Sequence, residues 1–233
     1  MRFPSTMDPT RCDLHIHTDY SDAVCTVSEV VKRAAQMRLQ AIAITDHFWP
    51  SLGSRQKGKG VIDRRREEIV ALRLEHPEMA ILDGAEVDIN FDGTVAPVAG
   101  GLDQFDLVIG SVHRGSDSIT WSRAICRVLE KAHFDILGHW DGYLRTYRHS
   151  DGTTVAKALA EHEVAIELST RYPIEYVEFL EIARDMGCIF TLGSDSHSAD
   201  SIGDLTRPKK LAEAYDLPLL DIEEAGLLPP PLH

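Results

Sequence analysis

Seven short apolar segments alternate with longer segments of helical pattern along this chain, and that alternation limits the folds open to it. The predicted strands are rich in Val, Ile, Leu and Ala and span residues 12–16, 41–45, 80–86, 107–111, 136–138, 164–168 and 188–192. Helical periodicity follows over residues 26–37, 61–76, 122–132, 154–162, 174–186, 209–215 and 221–227. Buried strands that alternate with helices indicate a parallel sheet covered by helices.

Two local signals support this division. Thr26 followed by Glu29 matches a capping box, which predicts the start of the first helix. The Asp92-Gly93 pair is typical of a tight hairpin turn.

Polar residues of metal-binding type follow nearly every predicted strand. They are His15 and His17, Asp46 and His47, Glu86, His113, His139, and Asp195 and His197. Parallel strands present their carboxyl ends at one rim, and in a closed barrel this rim forms a single cup. The pattern therefore favours a barrel over an open sheet and predicts a functional site in the cup.

His15 and His17 begin this pattern. Residues two apart on a strand point to the same face, so both imidazoles can face one point, and Asp22 can return over them from the loop. Imidazole together with carboxylate suits Zn, Mn or Fe. Any single histidine at a strand end is explained equally well as a hydrogen-bonded core residue. Six of the eleven histidines lie at strand ends, beside Asp22, Glu86 and Asp195, and this coincidence predicts a metal site.

The other histidines stand in helical or loop contexts. We interpret them as surface or hydrogen-bonded residues: His76, His133, His149, His162 and His233.

Composition restricts the class of protein further. The 233 residues, 43% of them hydrophobic and 26% charged, fit one large domain over residues 1–233 with an extended tail at 228–233. A net charge of −13 disfavours nucleic-acid polymers and anionic membranes as partners. It does not disfavour a small anionic substrate, because bound divalent ions would make the local field positive. Four scattered cysteines and a start without an apolar core lead us to expect a cytoplasmic protein.

The strand-end motifs resemble those of the PHP family, the polymerase and histidinol phosphatase domains. The segments that carry the resemblance are Asp13-Leu14-His15-Ile16-His17-Thr18 with Ser21-Asp22, then Ile44-Thr45-Asp46-His47, Gly84-Ala85-Glu86, Gly110-Ser111-Val112-His113, Leu137-Gly138-His139 and Gly193-Ser194-Asp195-Ser196-His197. They extend over the whole chain. The resemblance implies an α/β fold, a distorted (βα)7 TIM-like barrel with two to three divalent metal ions, Zn, Mn or Fe, at the C-terminal rim of the strands.

The resemblance also implies a ligand set. Carried onto this chain, the first metal would be held by His15, His17, Glu86 and Asp195. Glu86 would bridge to a second metal held also by His113 and His139, and a third would be held by Asp22, His47 and His197. Some members carry a histidine at this position; Asp22 keeps a ligand there and would shift the metal preference toward Mn or Fe. All nine positions are filled, so the inactive state of some polymerase-linked members is not expected.

The implied activity is hydrolysis of a small phosphorylated metabolite, such as histidinol phosphate or a nucleotide, by a metal-activated hydroxide. A small-molecule or cyclic phosphodiesterase or a nuclease-like enzyme is the nearest alternative. A C–N hydrolase and a non-catalytic metal-binding regulatory domain are alternatives of other classes. The single domain and the acidic charge argue against a proofreading module.

Several residues are candidates for further roles at the site. The proton donor to the leaving group is one of Asp46, Asp195 and His197, and the sequence does not decide which. The alternative role for Asp46, and the expected role for Asp13, is to orient ligand imidazoles. Phosphate binding favours arginine, and the candidates are Arg171, Arg114 and Arg145, with Arg148 nearby. Arg171 is the first choice because its strand end should face the cup. An exposed surface role is the alternative for each. Glu167 is either a polar residue of the site wall or a locally paired core carboxylate.

Residues 54–59, with Arg55, Lys57 and Lys59, suggest a basic lid, with an ordinary exposed loop as the alternative. Trp49, Trp121 and Trp140 are expected in the core, and Trp140 is a candidate lining residue of the pocket.

Overall fold

The strands form where the apolar segments predict them. The computed structural model describes residues 7–48 and 58–229, and its seven parallel strands pair in sequential order. They are β1 (Cys12–Ile16), β2 (Ala41–Ile44), β3 (Ala80–Asp88), β4 (Leu107–Ser111), β5 (Ile136–Gly138), β6 (Ala165–Ser169) and β7 (Phe190–Gly193). The predicted α/β TIM-like barrel is confirmed.

β1 and β7 nearly close the barrel at its carboxyl rim. Ile16 forms a bridge with Ser196, whose carbonyl accepts the His17 N–H at 2.9 Å. The register between β1 and β2 is irregular between Asp13 and Ile16. Leu14 consequently packs in the barrel interior, whereas Ile16, two residues later, packs outside with the first helix. This change of face lies directly at the histidine pair.

Asp13 holds the loop after β7 against β1. One oxygen of its buried carboxylate accepts the Ser194 N–H at 2.8 Å, and the other accepts the Gly203 N–H at 2.9 Å. The sequence predicted that Asp13 orients ligand imidazoles, but these partners are backbone groups. Because Ser194 directly precedes Asp195, the effect of Asp13 on the site passes through the backbone.

Six helices cover the outside of the barrel in the described residues. They are α1 (Val27–Gln36), α2 (Lys59–Glu75), α3 (Ser118–Leu129), α4 (His149–Glu161), α5 (Glu178–Asp185) and α6 (Thr206–Ala214), with short 3-10 turns at Pro9–Arg11 and Ala199–Ser201. The predicted capping box is present: the Glu29 N–H donates to Thr26 Oγ1 at 3.3 Å, and the Thr26 N–H donates to Glu29 Oε2 at 2.9 Å.

Five helix predictions differ from the structure by three residues or more. α3 begins four residues before the predicted position 122, and α6 begins three residues before 209. α4 begins five residues before the predicted position 154, directly after Arg148, whose N–H donates to Ser118 Oγ at 3.0 Å. α5 begins later than predicted, since Asp141 binds the Glu175 N–H at 2.7 Å in the preceding loop. The helix expected over residues 221–227 is wrong: the segment forms turns and reaches Gly226 in the left-handed region.

Two hydrophobic layers stabilise the barrel. The narrow interior is filled by small and medium side chains such as Ala41, Ala43 and Leu82. Larger side chains, including Trp121 and Phe179, pack between strands and helices, where each buried aromatic contributes roughly 1.5–3 kcal/mol.

Part of the predicted lid lies outside the described residues. Arg55, Lys57 and Trp49 belong to that part of the chain, as do residues 230–233 of the predicted tail. Lys59 begins α2 and pairs with Asp63 of the same helix at 3.3 Å. Among the helices described, none has the length and apolar character needed to cross a membrane.

Candidate metal centre

The carboxyl rim of the barrel gathers the residues predicted as metal ligands. Nine side chains from the ends of six strands and the loop after β1 meet there: His15, His17, Asp22, His47, Glu86, His113, His139, Asp195 and His197. Asp22, His113 and His197 are partly exposed, and the others are buried. The hypothesis that the strand ends converge on one cup therefore agrees with the position of every one of these residues.

The Glu86 carboxylate is the centre of this cluster. Five imidazole Nε2 atoms lie within 3.4 Å of its two oxygens, those of His15, His17, His47, His113 and His139. Glu86 Oε2 faces three of them and Oε1 faces the other two. A bridging position for Glu86 between two groups of histidines is the arrangement that the family resemblance implies.

A second part of the cluster lies around His197. Its Nε2 is 3.2 Å from Asp22 Oδ2, and its Nδ1 is 3.5 Å from Asp195 Oδ1. His17 connects this part to Glu86, because its Nε2 is 3.4 Å from Asp195 Oδ1 and 3.3 Å from Glu86 Oε2.

The spacing of the donor atoms fits metal ions. His15 Nε2 and His17 Nε2 are 3.0 Å apart and lie 3.2 and 3.3 Å from Glu86 Oε2. Two ligand atoms about 2.0–2.1 Å from a tetrahedral zinc ion are about 3.3–3.4 Å apart. Four such groups of three ligands occur in the cluster: His15, His17 and Glu86; His17, Asp195 and His197; His17, Asp22 and His47; and His47, Glu86 and His113. These clusters support divalent metal binding.

The carboxylates of the cluster favour the charged form of two of its histidines. Although burial opposes charge on both groups, facing carboxylates raise the pKa of His17 to about 9 and that of His113 to about 10. Burial also opposes charge on Glu86, but the positive imidazoles of His15 and His113 hold its pKa well below the ordinary value. Metal binding must displace these protons, so metal affinity should weaken as pH falls.

His47 differs from its neighbours. Burial, together with the positive charge of His17, outweighs the attraction of Glu86 and lowers the pKa of His47 to about 4. A neutral imidazole is the form that binds metal, so His47 presents a ligand nitrogen without prior loss of a proton.

Two further carboxylates face the outer nitrogens of ligand histidines. Glu167 Oε1 lies 2.8 Å from His15 Nδ1, and Asp88 Oδ1 lies 2.5 Å from His113 Nδ1. Such contacts fix the orientation of metal-binding imidazoles. Sequence reasoning missed Asp88 because it ended the third strand at Glu86. The i, i+2 spacing from Glu86 was the available signal.

Asp46 lies behind the cluster, where its carboxylate is saturated with donors. It accepts hydrogen bonds from the Thr18 N–H and hydroxyl at 2.7 Å each, from Ser21 Oγ at 2.6 Å and from Arg65 Nη1 at 2.9 Å. Burial would raise its pKa, but the Arg65 guanidinium holds it below the ordinary value. These contacts do not support Asp46 as a proton donor; they fix the loop that leads to Asp22.

The cup contains a small cavity of about 150 Å³. Its lining residues are Asp22, His47, Glu86, His113, Tyr143, Arg171, Tyr172, Asp195 and His197. Arg171 thus reaches the site, with its Nε 3.9 Å from Asp195 Oδ2. Sequence reasoning missed Tyr143 and Tyr172, whose hydroxyls are 3.1 Å apart, although Tyr143 lies four residues after His139 and Tyr172 directly follows Arg171.

The other predicted side chains lie away from this lining. Arg114, Arg145 and Arg148 are exposed, and Arg145 packs over the backbone of Gly115. Trp140 is buried in the core beside Trp121 instead of lining the cavity.

The fold and the rim together define a class of α/β barrel proteins whose strand ends are equipped to hold divalent metals. Within that class the chain belongs to the PHP domain family, whose model matches residues 13–176. The resemblance noted in the sequence is therefore confirmed.

Several known proteins resemble the chain over most of its length. It is 29% identical to the probable phosphatase YcdX of Escherichia coli (strain K12), over 93% of this chain and 91% of that protein. It is 28% identical to the DNA polymerase/3'-5' exonuclease PolX of Bacillus subtilis, but it covers only 35% of that longer protein. Histidinol phosphate phosphatase (HISK) of Lactococcus lactis, solved with zinc, L-histidinol and phosphate, shares the fold with a TM-score of 0.69 and 21% identity, over 90% of this chain and 95% of that one.

Glu86→Gln is expected to abolish the stabilisation that metal provides. A ligand at about 100 times its dissociation constant stabilises the folded state by about 2.7 kcal/mol. EDTA should therefore lower the Tm of the wild type by roughly 5–10 °C and leave that of the variant nearly unchanged. Calorimetry with and without EDTA, together with metal analysis, measures this difference.

The matched control is Glu178→Gln, which alters an exposed carboxylate paired with His149 at 2.9 Å. It should keep both the metal content and the EDTA response. A Glu86→Gln protein with wild-type metal content would contradict the central position given to Glu86.

Proposed function

We propose that the protein is a metal-dependent phosphoesterase that acts on a small phosphorylated metabolite, with phosphomonoesters as the preferred class. The observation that carries this proposal is the rim cavity, where the carboxylate ringed by imidazoles opens beside Arg171. Such a site combines ligands for divalent metal with a cation suited to phosphate.

The size of the cavity favours a small substrate. A volume of about 150 Å³ accommodates a phosphoryl group together with a small organic group. Tyr143 and Tyr172 form one wall there. A nucleic-acid duplex does not fit such a cavity, and the net charge of −13 further disfavours a polyanion.

The comparisons support the same class of reaction. The YcdX proteins, similar over nearly the whole chain, are named probable phosphatases. The Lactococcus protein of the same fold is a histidinol phosphate phosphatase solved with zinc and phosphate. The relation to a 3'-5' exonuclease favours phosphodiester hydrolysis as the second candidate function.

The chain's own residues bind and orient the substrate. Divalent metals at the rim would supply a hydroxide near neutral pH and neutralise charge on the phosphoryl oxygens. Arg171, 45% exposed, can turn from Asp195 toward a phosphoryl oxygen and donate two parallel hydrogen bonds. Asp195 keeps that guanidinium at the site in the absence of substrate.

We assign proton donation to the leaving oxygen to His197. Burial would raise the pKa of Asp195, but the charge of His15 and a hydrogen bond from His17 lower it to about 2, so Asp195 has no proton to give. Asp46 does not reach the cavity. His197 lines it, and its Nδ1 donates to the Asp195 carbonyl at 3.0 Å, which orients the ring. The competing role for His197 is that of a metal ligand.

The proposed activity is tested by phosphate release from a substrate panel. The Mn- or Zn-loaded protein should hydrolyse histidinol phosphate or a nucleoside monophosphate faster than a 3′,5′-bisphosphate or an aryl phosphodiester. His15→Ala, which removes a ligand of the cluster, should show no release. Failure on every substrate by a protein with bound metal would exclude the phosphoesterase and favour C–N hydrolysis or a binding role.

Arg171→Met is expected to lower kcat/KM for the best monoester by about 10- to 100-fold, because a charge-assisted hydrogen bond contributes about 1.5–3 kcal/mol. Arg114→Met is the control, since Arg114 is exposed and does not line the cavity. Equal losses in the two variants would show that Arg171 has no special role in phosphate binding.

His197→Gln distinguishes the two roles of that residue. As a proton donor His197 contributes about 10²–10⁴-fold to release of an alkoxide but little to release of a nitrophenolate, which needs no proton. We therefore expect kcat for an alkyl phosphate to fall much more than kcat for p-nitrophenyl phosphate, with metal content unchanged. Equal losses accompanied by loss of metal would assign His197 to the ligands.

A further inference from the structure

Glu167 is a buried carboxylate to which the proposed mechanism gives no role. It lies on β6, is 1% exposed, and its two oxygens have different partners. Oε1 is 2.8 Å from His15 Nδ1, whereas Oε2 accepts the backbone N–H of His139 at 2.6 Å. The two histidines come from different strand ends and face different oxygens of Glu86.

The barrel provides space for this carboxylate. A Cβ at Gly193, on the neighbouring strand β7, would lie 2.0 Å from Glu167 Oε1. Any side chain at that position would therefore displace the carboxylate from His15. The glycine that ends β7 and the carboxylate of β6 are thus sterically matched.

The hydrogen bond to Glu167 determines the tautomer of His15. An ionised carboxylate only accepts hydrogen bonds, so His15 Nδ1 must donate to Glu167. In the neutral imidazole, the form that would bind metal, the other nitrogen, Nε2, then carries the lone pair. That atom is the one that faces Glu86 Oε2 at 3.2 Å and His17 Nε2 at 3.0 Å.

The second oxygen acts on the backbone at His139. This residue has a φ of 22°, at the margin of the left-handed region that side-chain-bearing residues rarely adopt. The hydrogen bond from its N–H to Glu167 holds the bend that turns His139 Nε2 to 2.9 Å from Glu86 Oε1.

We propose that Glu167 is the positioning residue of the metal centre. Its carboxylate selects the His15 tautomer that presents Nε2 to a metal and fixes the bend that places His139 on the other side of Glu86. This inference rests on the metal centre of the proposed function and adds to it a requirement for two acceptor oxygens at position 167.

Glu167→Gln tests the requirement for two acceptors. The backbone N–H of His139 can only donate, so it takes the single amide oxygen of glutamine. The amide nitrogen then faces His15 Nδ1, which must accept, and the proton of the neutral imidazole moves to Nε2, the metal-facing atom. We expect zinc affinity to fall about 10- to 100-fold, as measured by competition with a chromophoric chelator. The absorption spectrum of the Co²⁺-loaded protein should change as well.

Two further variants separate positioning from folding. Asp135→Asn is the matched control: Asp135 also accepts a backbone N–H from a neighbouring strand, that of Val108 at 2.7 Å, but at the amino end of the barrel. It should lower Tm without changing zinc affinity. Glu167→Asp keeps two acceptor oxygens on a side chain one methylene shorter, so they cannot reach His15 Nδ1 and the His139 N–H together, and part of the zinc affinity should be lost.

The outcomes are distinct. The inference is overturned if folded Glu167→Gln binds zinc as tightly as the wild type, or if it loses no more zinc affinity than Asp135→Asn does. If Glu167→Gln does not fold, Glu167→Asp decides: a wild-type affinity and Co²⁺ spectrum would overturn it, and a loss of affinity with a changed spectrum would support it. A wild type that binds zinc but releases no phosphate would remove the proposed function and leave this inference standing. A wild type without zinc affinity would overturn both.

Discussion

The rim of this barrel depends on the Glu86 carboxylate and the imidazoles that surround it. Five Nε2 atoms within 3.4 Å of one buried carboxylate form a cluster that is tolerable only with bound cations or protons. The raised pKa values of His17 and His113 show that the surrounding carboxylates favour positive charge here, which divalent ions would also supply. Ligand spacing, burial and protonation of the site all follow from this packing.

A second set of groups holds the first in place. Glu167 and Asp88 fix imidazoles from outside, Asp13 ties the loop before Asp195 to β1, and Asp46 is held by the fully buried Arg65. The acidic side chains are therefore divided between binding and support. The net charge of −13 does not determine the electrostatic field in the cup, because divalent cations bound there would act at much shorter range.

Much of the fold was predictable because it depends on local chemistry. All seven strands were predicted to within two residues at each end, because short apolar runs of Val, Ile, Leu and Ala bounded by polar residues are typical of buried strands. The boundaries of α4 and α5 were not predictable. The start of α4 coincides with a hydrogen bond from the Arg148 N–H to Ser118 Oγ, and the start of α5 with one from the Glu175 N–H to Asp141; both contacts join parts of the chain brought together by folding. The 221–227 segment has helical periodicity, yet it forms turns.

The sequence by itself determined the barrel and the identity of the cluster residues, because a parallel barrel gathers its strand ends at one rim whatever the loops do. It favoured Arg171 among the arginines without excluding Arg114 or Arg145, and it did not determine which carboxylate supports which histidine. Glu167 and His15 are 152 residues apart in the chain, yet they meet at 2.8 Å. Arg171 lines the cavity and Arg114 does not, although both follow strand ends. Only the tertiary structure decided these contacts, because they depend on the register irregularity in β1 and on the paths of the loops, which no local pattern encodes.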